Sequence, residues 1–136
     1  MWTLCTAIPS DAMQLFETAM DFHFIPVLRD FLLAHNGGRA RQCNLTTNVK
    51  ERRIANILDF SKGGSAWDIN RRMRKILGIK CVVIGTDRSD NFLCVCRDGR
   101  KQSFCIWNHV TSELEVCTED ITMTLMQWQA GGENNG

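Results

Sequence analysis

Seven cysteines and three histidines carry most of the reactive potential of this 136-residue chain. Cys94 and Cys96 stand two apart in an apolar run, so on a strand both thiols face the same way. Cys105 lies in the next apolar run. A sulfur-rich metal site is the chemistry such a group suggests. Structural zinc, however, takes four ligands, with about two to four residues between paired cysteines. No pair here has that spacing, and no histidine lies near enough in sequence to complete a set. Cysteine is also a common small buried hydrophobe, and a core role is the favoured reading. A Cys/His nucleophile pair can be drawn from His23, His35 or His109. No local signature surrounds any cysteine, though, and His35 near a helix C-terminus is accounted for by the helix dipole. No catalytic, cofactor-binding or metal-binding residue is assigned.

Gly37-Gly38 and Gly63-Gly64 both border helices. A phosphate loop needs a longer glycine pattern behind a strand. Gly63-Gly64, ahead of a helix, is the better anion candidate, but turn formation is favoured. Arg71-Arg72-Met73-Arg74-Lys75 makes a basic helix face. RNA, a membrane surface or an acidic protein would suit it, and a solvated face is favoured over these. No aromatic residue appears interleaved on it, as single-strand binding would ask. Asp87, Asp90 and Asn91 fall in a polar turn. Asp87 and Asn91 are expected to bond to local backbone; as a cation site they are too few, since calcium takes about six to eight oxygens. Arg71, Arg72, Arg74 and Lys75, with Asp87 and Asp90, are the candidate partner-contacting residues.

Charge is unevenly placed. Net charge is +1, which argues against a dedicated nucleic-acid binder, yet residues 1–28 carry −3, residues 29–101 carry +9 and residues 102–136 carry −5. Such polarity suits a protein partner, and equally suits acidic end helices lying against a basic middle. With 44% hydrophobic and 23% charged residues, the composition is that of one soluble globular domain with a real core. The opening MWTLCTAI has no positive region, and no span of about 20 apolar residues occurs. A cytoplasmic protein with reduced thiols is expected.

The elements that must position these residues follow from pattern. The stretch CVVIGTDRSDNFLCVCRDGRKQSFCIW, 81–107, holds three apolar runs and two turn signals. Cys81 to Ile84 reads as a strand buried on both faces. Asp98-Gly99 is a hairpin signal. An antiparallel sheet core is predicted, with Leu114 to Cys117 as an edge strand. Cys43 to Thr46 suits a short strand. Glu51 to Phe60 suits a strand better than a helix, although Glu51-Arg52-Arg53 also fits a helix start. Helices are predicted after Ser10-Asp11, which would cap the first, and over Val27–His35. In the second, Pro26 sits in the first turn, Val27, Leu28, Phe31 and Leu32 share one side, and Asn36-Gly37-Gly38 is the stop. A third helix is predicted from Ser65, as N-cap with Asp68, to Gly78. It would present Ile69, Met73, Ile76 and Leu77 to the core. The last is capped by Thr118-Glu119-Asp120 and carries Ile121, Leu125 and Trp128. The tail, 130–136, is expected to be disordered.

The segment Ile25-Pro26-Val27-Leu28-Arg29-Asp30-Phe31-Leu32-Leu33-Ala34-His35-Asn36-Gly37-Gly38 resembles a motif of the SUKH superfamily, the proteins similar to the yeast cell-wall assembly regulator. Ile84-Gly85-Thr86-Asp87, then Asn91-Phe92-Leu93-Cys94, then Ile106-Trp107-Asn108-His109 resemble later elements of that family, in the same order. The likeness spans about residues 10–128. Ser89-Asp90 replaces frequent glycines, Asn108 replaces the usual aspartate, and residues 43–77 match little. The resemblance implies an α+β fold, a central, mainly antiparallel sheet with helices packed on it. Pro26, Phe31, Leu32, Asn36, Gly37, Gly38, Gly85, Asp87, Asn91, Trp107 and His109 would be its structural motif. It also implies a non-enzymatic protein-binding domain without cofactor. The first expectation is a bacterial immunity protein that neutralises a cognate toxin; the alternative is a regulatory scaffold with no toxin partner.

Overall fold

In the computed structural model, which describes residues 2–134, the chain runs β1 (Trp2–Thr3), α1 (Ser10–Met20), α2 (Pro26–Ala34), β2 (Arg39–Ala40), β3 (Asn44–Thr46), β4 (Glu51–Ile57), α3 (Ser65–Leu77), β5 (Cys81–Asp87), β6 (Phe92–Asp98), β7 (Lys101–Asn108), β8 (Glu113–Val116) and α4 (Ile121–Asn134). The class is α+β, as predicted. The strands follow the order β1-β2-β4-β5-β6-β7-β8, with β3 paired to β4 off that path. Every pairing is antiparallel. α4 runs through Asn134, so the tail expected to be disordered starts as helix; residues 135 and 136 lie outside the described ones.

The predicted runs form the middle of the sheet. Gly99, at φ 62, opens the two-residue turn between the paired Asp98 and Lys101. Side chains alternate across the pleat. Val82, Leu93, Val95, Phe104 and Ile106 share one face by register, and all are buried. The helices lie over that face. Trp128 of α4 stacks on Phe104 at 5.2 Å, and Phe22, just after α1, lies under the Arg97 guanidinium at 4.9 Å. The opposite face carries Cys81, Val83, Cys94, Cys96 and Cys105. Each large side chain buried in this core contributes about 1.5–3 kcal/mol.

Two expected caps are absent. Pro9 and Gly64 are the N-cap residues of α1 and α3, and neither cap makes a side-chain hydrogen bond. The Ser65 hydroxyl instead accepts the Asp59 N–H at 2.9 Å. The buried face of α3 is also rotated from the predicted one: Ala66, Asn70 and Met73 are buried, while Ile76 is 58% exposed. The reason is Asn70. β4 pairs with β5 only from Gly85 onward, so Val83 has no strand neighbour on that side. The Asn70 amide supplies both missing bonds, donating to the Val83 carbonyl and accepting its N–H, each at 2.8 Å. On α2, Val27 is 41% exposed, whereas Leu28, Phe31 and Leu32 are buried as expected.

Asn36-Gly37-Gly38 does more than stop α2. Gly37 has φ 68, the left-handed conformation that favours glycine. A Cβ on Gly38 would lie 2.6 Å from the Cys5 sulfur and 2.9 Å from the His35 carbonyl. Asn36, buried, accepts the Phe60 N–H and donates to Asp59 at 2.8 Å. Burial works against ionisation of Asp59, but hydrogen bonds from Asn36 and Ser61 outweigh it and hold the carboxyl below its ordinary range.

The sheet is strongly curled. β4 and β8 are four strand steps apart along the path, about 19 Å if flat. Yet Arg52 of β4 and Glu115 of β8 are ion-paired through two parallel bonds, Nε to Oε1 at 2.8 Å and Nη2 to Oε2. The β3–β4 hairpin makes the reach. Thr47 bridges to Cys117, and Asn48 bonds to both backbone groups of Val116. Arg52 and Glu115 are 7% and 4% exposed.

Two outcomes follow. Gly37→Val should lower stability by about 1–2 kcal/mol in urea unfolding, since a β-branched residue is strained at φ 68. Glu115 has its carboxyl held at about 2, below the ordinary 4.5, because Arg52 hydrogen-bonds the ionised form and outweighs burial. The stability this confers is complete above pH 4.5 and is lost as pH falls from there toward 2. Glu115→Gln should cost about 3 kcal/mol at pH 7, because it strands a buried guanidinium. It should also flatten that acid limb, so that the two proteins converge near pH 2 in thermal melts.

Candidate functional site

Asp87 and Asn91 lock the β5–β6 turn as the turn chemistry predicts. Asp87 Oδ1 accepts the backbone N–H of Ser89 at 2.9 Å and of Asn91 at 2.8 Å, and its Oδ2 takes the Asn91 amide at 3.0 Å. Asn91 Oδ1 then accepts the His109 N–H at 3.1 Å and meets His109 Nδ1 at 2.8 Å. The β5–β6 turn is thus tied to the turn after β7. Next to it, Asn108 Oδ1 accepts two N–H groups of its own turn, from Val110 and Thr111. Its amide nitrogen donates to Glu115 Oε2 at 3.0 Å. The three later resembling motifs, 84–87, 91–94 and 106–109, therefore converge at one end of the sheet, where they hold backbone. Asp87 is 3% exposed. Its place among the partner-contacting residues is corrected: the carboxylate is spent on the turn. Asp90, at φ 64, is exposed.

Gly85 belongs to the same end. A Cβ there would stand 2.4 Å from the Asn56 carbonyl, so the strand β4 can lie against β5 only where no side chain intervenes.

A surface that combines aromatic, aliphatic and basic side chains lies elsewhere, between α1 and α3. Arg71, Arg72, Arg74 and Lys75 are all exposed on α3. They do not act as one face. Arg72 is turned back to Asp68, four residues earlier, at 2.6 Å. Arg74 reaches toward α1 and donates to the Met20 carbonyl at 3.3 Å. Arg71 and Arg74 fall four and seven residues after Trp67, on the same stripe of the helix. Three adjoining hollows share Trp67. Asp11, Leu15 and Thr18 line the first, Leu15, Lys62 and Arg71 the second, and Met20, Arg71 and Arg74 the third. The expectation that no aromatic accompanies the basic run is therefore corrected.

Trp67 is held firmly. Its indole N–H donates to the Phe60 carbonyl at 3.2 Å, and its ring meets the buried Phe16 edge-on at 5.6 Å. Leu15 beside it is 58% exposed. A fixed tryptophan beside Arg71 and Arg74 has the residue types that anchor protein interfaces, while Leu15 adds exposed apolar surface and Lys62 a further positive charge. Reading by residue type missed Trp67 and Leu15, because each is also an ordinary core residue. The usable signal was Trp67 one turn ahead of Arg71.

Among the described residues, no group of three or more His, Cys, Asp or Glu is arranged to hold a metal ion. No described helix is long and apolar enough to cross a membrane.

The profile of the SMI1 / KNR4 family (SUKH-1) matches residues 7–127, nearly the whole chain. The chain belongs to the SUKH family. No curated protein and no solved structure matches it. The SUKH match covers every motif at the crowded end of the sheet and the α1–α3 surface alike.

Asn108, where the resemblance has aspartate, is explained by its neighbour. An amide nitrogen can donate to Glu115; a carboxylate there would face another carboxylate. Asn108→Asp should lower stability by about 1–2 kcal/mol at pH 7, with part of the loss recovered near pH 4 as one acid protonates, measured by chemical denaturation at both values.

Proposed function

We propose that this SUKH protein is a non-catalytic binding domain, an immunity protein of the cytoplasm that neutralises a cognate bacterial toxin by occluding it. The family assignment supports a protein-binding role. The observation that carries the reading further is the Trp67 surface. It offers a rigid aromatic anchor and exposed aliphatic surface within a rim of three cations. Interfaces draw most of their energy from such anchors, and charge at their rims mainly sets the rate of encounter. An acidic face on the partner would suit this rim, and the positive middle segment of the chain supports the same sign of steering. A stable complex would bury about 1,200–2,000 Å².

The experiment is co-expression with a toxin gene adjacent to this one. Survival that depends on this protein, through a complex isolated intact, is the expected result. Killing unchanged by its presence, or a locus with no toxin, favours a regulatory scaffold instead. The joint change Arg71→Glu and Arg74→Glu should leave the melting temperature nearly unchanged, because both side chains are exposed. It should slow association with the toxin about tenfold at low salt and much less at high salt. An association rate equal to that of the parent at low salt would place the contact surface elsewhere.

A further inference from the structure

Three thiols meet on the sheet face opposite the helices. Cys81 and Cys96 are direct cross-strand partners on β5 and β6. Cys96 lies between Cys81, directly across on β5, and Cys105, diagonally across on β7. Cys81, Cys96 and Cys105 are free thiols. From this geometry we infer that Cys81 and Cys96 form an oxidisable dithiol that closes to a cross-strand disulfide when a peroxide reaches it.

Register selects this pair over its neighbours. Arg97 donates its N–H to the Lys80 carbonyl at 2.9 Å, so Lys80 and Arg97 are a hydrogen-bonded pair. Antiparallel pairs alternate, which makes Cys81 and Cys96 a non-hydrogen-bonded pair. Such pairs bring their Cα atoms to about 4.5 Å and their Cβ atoms closest together, within the range a disulfide spans. Cys94 and Cys105 also face each other, but the two-residue turn after Asp98 places them in the hydrogen-bonded class, with Cβ atoms farther apart. Cys96 and Cys105 are diagonal neighbours, about 7–8 Å apart at Cα, beyond the reach of a bridge without backbone movement.

Access and charge select the thiol that reacts first. Cys94 and Cys105 are buried, whereas Cys81 and Cys96 are partly exposed. The hydrogen bond from Cys96 lowers the Cys81 thiol from its ordinary range, with help from the Lys80 charge and against burial. Thiolate character and exposure favour attack on peroxide. The Cys81 thiolate attacks one peroxide oxygen. The O–O bond breaks, hydroxide leaves, and Cys81 becomes a sulfenic acid. The Cys96 sulfur then attacks the Cys81 sulfur. An S–S bond forms, and the sulfenic hydroxyl departs with the Cys96 proton as water. The two thiols have lost two electrons, and the peroxide has gained them.

The test uses the full-length, reduced protein treated with hydrogen peroxide. Intact mass should fall by two hydrogens, reversibly with dithiothreitol. Trypsin should then yield peptide 81–88 joined to peptide 89–97. Cys94→Ser should keep the bridge. Cys96→Ser should abolish it and leave Cys81 as a sulfenic acid that dimedone traps. Oxidised wild-type protein should melt a few degrees higher than reduced protein. The proposal is overturned if all seven thiols survive peroxide, if the bridge uses Cys94 or Cys105, or if Cys81 proceeds to sulfinic acid in the wild type with no bridge. Circular dichroism of each variant confirms that it folds before peroxide is added.

Discussion

The fold turns on the ion pair between Arg52 and Glu115. A sheet of this many strands would normally present two faces and two open edges. Here its far strands are drawn together until a guanidinium and a carboxylate meet out of water. Removing two charges from solvent costs several kcal/mol, and their attraction repays it only when the remaining lone pairs are also filled. They are filled. Thr47 donates to Glu115 Oε1 and Asn108 to Oε2, so the carboxylate accepts from three side chains. The value of the pair is thus less its net energy than its specificity: only one curvature and one register bring all four groups together.

Side-chain amides take a recurrent part in the structure. Asn70 completes the edge of β5 where β4 has turned away, Asn36 holds the start of the β4–α3 connection, and Asn91 joins two turns. In each case a backbone group would otherwise be buried without a partner, at a cost of about 1–3 kcal/mol. Asparagine offers a donor and an acceptor on one short arm, so it can stand in for a missing strand neighbour. The rotated face of α3 is the visible trace of this. Burying Asn70 outranks burying Ile76.

Much of the architecture was legible because it is local. The run through Pro26 to Gly38 carries its own start, stripe and stop. The strands from Cys81 to Trp107 carry their turns, and Asp87 with Asn91 follows from turn chemistry alone. The failures are non-local. Ser10 and Ser65 are ordinary cap residues, displaced by a proline and by the demands of Asp59. β1 and β2 are two residues each and leave no periodic signal. Nothing in the residues near Glu115 announces a partner 63 positions away. The surface at Trp67 was missed for a related reason: a helix seen as a charge run hides the tryptophan one turn before it, and exposure of Leu15 depends on how α1 packs.

The hairpin of β3 and β4 also governs how the chain reaches this state. β5, β6 and β7 are joined by short turns and can zip together early, at little cost in loop entropy. Closure across β8 joins segments more than sixty residues apart and must await the rest of the sheet. Until then, the outer edge of β8 is a row of unpaired amides and carbonyls, with Leu114 and Val116 beside it. That is the arrangement through which strands of separate molecules join. Once Asn48 has bonded to Val116, that part of the template is gone. The same contact that finishes the fold therefore ends the interval in which the chain is exposed to self-association, and the length of that interval is set by the slowest loop to close.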